Sequence, residues 1–128
     1  MKNFLFLIFT INFFINTNSL SAQENENYLE VIANSLPEQY IKSNANLFFT
    51  IQIGAFRNKN TSLENLNNII LANENNITKY RLGEFLSYKE AVDYKKMVLS
   101  VCKDAFIVSI KNGKRVHIRE ALKDRPIL

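Results

Sequence analysis

The sequence predicts an α+β domain: an antiparallel sheet with two helices on one face, closed by a C-terminal β-hairpin. Three observations predict it. The first is a near repeat, in which TIQIGAFRNKNT (Thr50 to Thr61) is echoed by YRLGEFLSYKEA (Tyr80 to Ala91). Each half reads as an alternating strand, then Gly-x-Phe, then a Ser or Thr with Glu three residues on. The second is helical spacing of apolar residues after each capping signal. The third is an Asn-Gly pair between two alternating runs near the end, FIVSIKNGKRVHI.

The elements follow in chain order. Residues 1–22 read as a secretory signal peptide: Lys2 gives a positive start, Phe4 to Ile15 is a nearly continuous apolar run, and NSLSA offers small residues for cleavage after Ser21 or Ala22. Residues 23–46 form an acidic leader or linker, with a short apolar pattern, YLEVIANSL, stopped at Pro37. The domain proper is expected over 47–120. Alternation over Leu47 to Phe56 puts Phe49, Ile51 and Ile53 on one face and Thr50 and Gln52 on the other. Thr61-x-x-Glu64 predicts a capping box opening a helix through Leu63, Leu66 and Ile70, which frays around Asn73 to Asn76.

In the second half, Tyr80 and Leu82 point one way, Lys79 and Arg81 the other. Ser87-x-x-Glu90 predicts a second capping box, followed by a stripe of Ala91, Tyr94, Val98 and Val101. For the closing hairpin, a two-residue type I′ turn would place Arg115 and His117 on the face of Val108 and Ile110. A bulged three-residue loop, Lys111-Asn112-Gly113, instead aligns Val116 and Ile118 with Val108 and Phe106, and hydrophobic register favours it. Residues 121–128 read as a tail. Two strand–turn–helix units and a hairpin give a split βαβ, ferredoxin-like plan, because neither unit alone can bury its apolar face.

Composition bounds the function. Residues 23–46 carry four Glu against one Lys, whereas 47–128 carry fourteen Lys plus Arg against eight acids. A basic domain behind an export signal fits an anionic or polar polymer outside the cytoplasm. The single Cys102 excludes an internal disulfide, and its place on the apolar side of a helix predicts a buried, inert thiol. No Cys follows the apolar N-terminal run, so lipid attachment there is excluded, and a periplasmic or secreted protein is expected. The one histidine, His117, has no evident nucleophile beside it, and no metal-ligating cluster or Gly-rich phosphate loop occurs. Glu84 lies beside the open sheet face without a second carboxylate, so glycoside hydrolysis is unsupported. We therefore expect no enzyme, no cofactor and no nucleic-acid partner.

The expected open face collects Thr50, Gln52, Lys79, Arg81, Ile107, Ser109, Arg115 and His117. Amides, hydroxyls and guanidinium groups on a rigid sheet suit a hydrogen-bonding polymer such as a glycan; stacked nucleobases would need aromatic residues there. Over about 47–120 the chain also resembles the SPOR (sporulation-related repeat) domain, through IQIGAF at Ile51 to Phe56, YRLGEF at Tyr80 to Phe85, Glu90-Ala91 and DAFIV at Asp104 to Val108. Its second strand is two residues shorter before the Gly than the family's pattern, and few residues remain for the further strand that the family has after its first helix. The resemblance implies a ferredoxin-like fold and binding of peptidoglycan glycan strands, often at division sites, with Gln52 and Arg81 toward the ligand. The competing reading is a secreted adaptor that holds another envelope protein through its sheet face or edge.

Overall fold

The computed structural model describes residues 28–126; the export signal read in residues 1–22 lies outside them. The strands are β1 (Leu47–Phe56), β2 (Ile69–Glu74), β3 (Ile77–Phe85), β4 (Phe106–Lys111) and β5 (Lys114–Val116). They form one antiparallel, curled sheet in the order β2-β3-β1-β4-β5. The helices among the described residues are α1 (28–34), a 3-10 turn at Glu38–Tyr40, α2 (Thr61–Glu64), α3 (Tyr88–Val98) and α4 (Ile118–Asp124).

The central strands carry the repeat. In β1, Phe49 and Ile51 are fully buried in the helix-side core, as alternation predicts, and Leu82 of β3 joins them. Thr50 and Gln52 face the other way, yet both are buried as well. The sheet's curl explains this. The β1–β3 pairing slips at two places, between Phe49 and Ile51 and between Gln52 and Gly54. Each slip adds a residue to one strand, which bends it and tightens the twist. Gly83 sits at the first slip with φ +80°, a conformation that costs glycine nothing. The Phe85 ring occupies the space a side chain at Gly83 would need, and the Phe56 ring does the same at Gly54. The repeated Gly-x-Phe therefore lets a ring fold back over the residue two before it.

The segment after β1 departs from the sequence expectation. The helix expected after β1 is the single turn α2, and its N-cap is Asn60, whose Oδ1 accepts from the Leu63 amide at 3.1 Å, one residue before the expected Thr61. Left-handed Asn68 (φ 64°) follows the turn, and Ile69 and Ile70 then enter β2 rather than a helix. Two β-branched residues favour a strand over a helix interior. Asn75 and Asn76, both with positive φ, make the two-residue turn into β3. One half of the second capping box appears: Ser87 Oγ accepts from the Glu90 amide at 3.1 Å, and α3 buries Ala91, Tyr94 and Val98.

The closing hairpin is the other correction. Lys111 pairs directly with Lys114 around Asn112-Gly113, both left-handed. This is the type I′ turn and not the bulged loop. Hydrophobic register does not impose the bulged loop because β4 faces the other way from the expected one. Ile107 pairs with Ile51 and lies in the helix-side core, while Val108 pairs with Thr50 and faces the opposite side. Phe106, expected in the core, is 40% exposed. The run Phe106 to Val108 is apolar in both alternation classes, so pairing with β1 decides its orientation. Val116, opposite Ser109, still reaches the helix side. After Val116 the chain turns into α4, with Ala121 fully buried, where a tail was expected from residue 121.

The chain ends complete the core. Ala33 and Leu36, from the segment read as a leader, share it with Phe49, Phe85, Tyr94 and Val98. Tyr94 donates to the Ile32 carbonyl at 2.6 Å, Asn68 Nδ2 donates to the Ala33 carbonyl at 2.9 Å, and the Ser43 amide donates to Glu84. Arg125 Nη1 donates to the carbonyls of Leu47 and Leu86 at 2.6 and 2.7 Å. Cys102 is half-buried against the core, and that burial pushes its thiol pKa up.

Two outcomes are expected. Gly113→Ala should destabilise by about 1–2 kcal/mol through its positive φ alone, since nothing lies within 4 Å of the added carbon. Gly83→Ala should cost about 2–5 kcal/mol, because the carbon would also meet the Phe85 ring at 2.4 Å. That ring is held by Tyr40 at 4.8 Å and Tyr94 at 5.4 Å. Equal denaturant midpoints for the two variants would contradict this packing. Tyr94 supplies the second test. Burial pushes its pKa up to about 12 from an ordinary 10.0, so the folded state favours the neutral phenol. Its contribution is complete below pH 10 and is lost as pH rises towards 12. Tyr94→Phe should cost about 1 kcal/mol at neutral pH and flatten the alkaline loss of stability seen by pH-dependent unfolding.

Candidate functional site: the concave sheet face

The face away from the core is a trough. Its floor is made by Thr50 and Arg81, and its walls by Phe48, Ile70, Ala72, Glu74 and Ile110, with Gly113 at the lip; together they enclose about 290 Å³. Strand pairing places these side chains on one face. Gln52 lies opposite Arg81, Arg81 opposite Ile70, and Phe48 opposite Ile110. Curling brings β2 and the β4–β5 hairpin up on either side, so the floor is buried while the mouth stays open.

Arg81 is the centre of the trough's polarity. It is 4% exposed, and a guanidinium at that depth needs fixed partners. Its Nε donates to Gln52 Oε1 at 3.3 Å and its Nη2 to Glu74 Oε1 at 2.7 Å. Among the described residues Nη1 has no acceptor. No side-chain nitrogen or oxygen there is both fully buried and unpaired, so Nη1 is not wholly sealed from solvent. Thr50 Oγ1 is turned inward, donating to the Leu82 carbonyl at 3.4 Å. The arrangement offers one cationic donor without an acceptor among the described residues and a partly exposed carboxylate between apolar walls.

The expected site residues divide. Gln52, Arg81 and Thr50 lie on this face, buried rather than open, and of the three Thr50 and Arg81 line the trough. Lys79 lies on the same face, half-buried, opposite Ala72 and Ala55. Arg115 also belongs to this face through its pairing with Ile110, and its guanidinium carbon lies 5.8 Å from the Phe106 ring centre. Ile107 and Ser109 do not belong to it. Ile107 packs in the core, and Ser109, also fully buried, donates to the Val116 carbonyl at 3.1 Å. His117 has left the sheet to cap α4, its Nδ1 accepting from the Arg119 amide at 3.1 Å.

Sequence reasoning missed Phe48, Ile70, Ala72, Glu74, Val108 and Ile110. Ile70, Ala72 and Glu74 were assigned to a helix and its frayed end; the paired Asn75-Asn76 turn was the signal that could have returned them to a hairpin. Among the described residues no group of three His, Cys, Asp or Glu could hold a metal ion, and no helix is long and apolar enough to cross a membrane. No known family, curated protein or solved structure matches the chain.

The ion pair gives a stability test. Arg81→Met should cost about 1–3 kcal/mol, since it strands the Gln52 carbonyl and the Glu74 carboxylate together. Glu74→Gln should cost less, because that side chain is 31% exposed and solvent screens it. Chemical denaturation that ranks the two in the opposite order would show that Arg81 does not depend on this pair.

Proposed function

We propose that this chain is an exported, non-catalytic module of the SPOR type that binds peptidoglycan glycan strands in its concave trough. The single observation that carries the reading is Arg81 Nη1, an unspent donor held rigidly at the floor between apolar walls. A sugar ring has apolar C–H faces and a polar rim. Phe48, Ile70 and Ile110 offer surface for the faces, and Nη1 offers a donor for a hydroxyl or acetamido oxygen. The free side of the Glu74 carboxylate accepts from a hydroxyl. Because Gln52 and Glu74 already fix the guanidinium, binding loses little side-chain freedom.

Other features support the same reading. The antiparallel neighbours β2-β3-β1-β4 are compatible with a split βαβ, ferredoxin-like plan in which the first crossover helix is cut to the single turn α2. IQIGAF and YRLGEF, the phrases that carry the resemblance, contribute Gln52 and Arg81 to one face. Residues 1–22 have the form of an export signal, which would deliver the domain to the envelope, with recruitment to division sites as the family would imply. Glu74, the carboxylate of the trough, is committed to Arg81, which suits binding better than acid–base chemistry.

Co-sedimentation with purified peptidoglycan, before and after amidase stripping, tests the proposal. The protein should sediment best with stripped strands. Ala72→Phe fills the trough from a half-buried wall and should weaken retention by about tenfold or more. Arg81→Lys keeps the charge but cannot hold both partners and aim a third donor, so it should weaken retention too. Lys123→Ala, on exposed α4, should change nothing. A folded Ala72→Phe variant that sediments like the wild type would remove the trough as the site. A wild type that ignores stripped strands and instead captures a purified envelope protein would transfer the function to the adaptor reading.

A further inference from the structure

The sheet has two edges, and they are built differently. The β5 edge is three residues long, carries Lys114 and Arg115, and runs straight into α4. Short length and positive charge are standard protections against another strand. The β2 edge has neither. It runs for six residues, IILANE, without proline or a cation. In a two-residue hairpin the residues flanking the turn bond each other, so Glu74, Ala72 and Ile70 bond to β3 while Asn73, Leu71 and Ile69 present their N–H and C=O outward. Among the described residues those outward groups have no backbone partner. Leu71, in the middle, is 45% exposed.

We propose that β2 pairs antiparallel with β2 of a second copy of this chain about a two-fold axis through Leu71. The strand is complementary to itself in that register. Leu71 meets Leu71 of the second copy, Ile69 meets Asn73, and Ile70 meets Ala72, so no like charges face each other although each molecule carries a formal net charge of +4. Glu74, the strand's one charge, is already neutralised by Arg81 within its own chain. Because the β5 edge is protected, pairing closes after two copies and does not propagate into a fibre. The product is a continuous ten-stranded sheet. Its two troughs lie side by side, since Ile70 and Ala72 are at once trough wall and strand junction. Two sites at fixed spacing would engage a polymer with avidity, but the dimer rests on the edge alone and stands whether or not the trough binds glycan.

Sedimentation equilibrium of the purified protein from micromolar to millimolar concentration tests this. The wild type should be a monomer–dimer system with no larger species. Leu71→Lys and Leu71→Glu put like charges on the axis, and each alone should raise the dissociation constant by about tenfold or more. An equimolar mixture of the two should restore the dimer, because position 71 faces position 71. In the wild type, amide exchange at Leu71 should slow as concentration rises, while exchange in β5 should not change. A wild type that stays monomeric to millimolar concentration would overturn the proposal. So would either variant dimerising as well as the wild type, a mixture that stays monomeric, or an exchange rate at Leu71 independent of concentration.

Discussion

Two phenylalanine rings, each folded back over the glycine two residues before it, sit at the bends on which the structure depends. Phe56 covers Gly54 and Phe85 covers Gly83, on adjacent strands, beside the two places where their pairing slips. A flat sheet would present Thr50, Gln52 and Arg81 to bulk water. The slips tighten the twist instead, so β2 and the β4–β5 hairpin rise around those residues, and a face meant to be open becomes a lined trough. The Phe85 ring also serves the core, packed at a tilt between Tyr40 and Tyr94. One local device thus couples helix packing to the shape of the polar face.

Burying Arg81 is the consequence that demands the most compensation. A guanidinium removed from water is tolerated only if its donors are met. Gln52 supplies a neutral acceptor from β1, and Glu74 supplies charge from β2, so the pair ties three strands together at one point. Lysine could not do this, because a single ammonium cannot span two acceptors with a planar fork. The network uses two of the three guanidinium nitrogens, and the third has no acceptor among the described residues.

What could be read from the sequence was what one residue class decides without ambiguity. Phe49 and Ile51 against Thr50 and Gln52 is a clear alternation, and Ser87 with Glu90 is a clear cap; both appear as expected. β4 could not be oriented that way, since Phe106, Ile107 and Val108 are all apolar and only pairing with β1 chooses between them. Ile107 and Ser109 were placed on the wrong face for that reason. β2 was lost because Leu63, Leu66 and Ile70 happen to fit helical spacing, while the decisive residues are asparagines. Asn68, Asn75, Asn76 and Asn112 all adopt positive φ, which asparagine tolerates better than most side chains. The abundance of asparagine thus has a structural use at turns that composition alone did not disclose.

The ends of the chain determine which surfaces remain for function. With no disulfide available, the core is extended by elements that the sequence did not assign to it: Ala33 and Leu36 from one end and Ala121 from the other. Arg125 fastens the C-terminal helix to the carbonyls of Leu47 and Leu86, at the start of β1 and just past the end of β3. The helix side of the sheet is therefore covered by α1, α3 and α4, and the β5 edge is shortened and charged. Among the described residues, the sheet then offers solvent two surfaces with unspent hydrogen-bonding capacity. One is the concave trough, where Arg81 Nη1 has no acceptor among the described residues. The other is the bare edge of β2, and the two share Ile70 and Ala72. A change at that edge must therefore be felt in the trough wall, and any occupant of the trough lies one strand from the neighbouring copy.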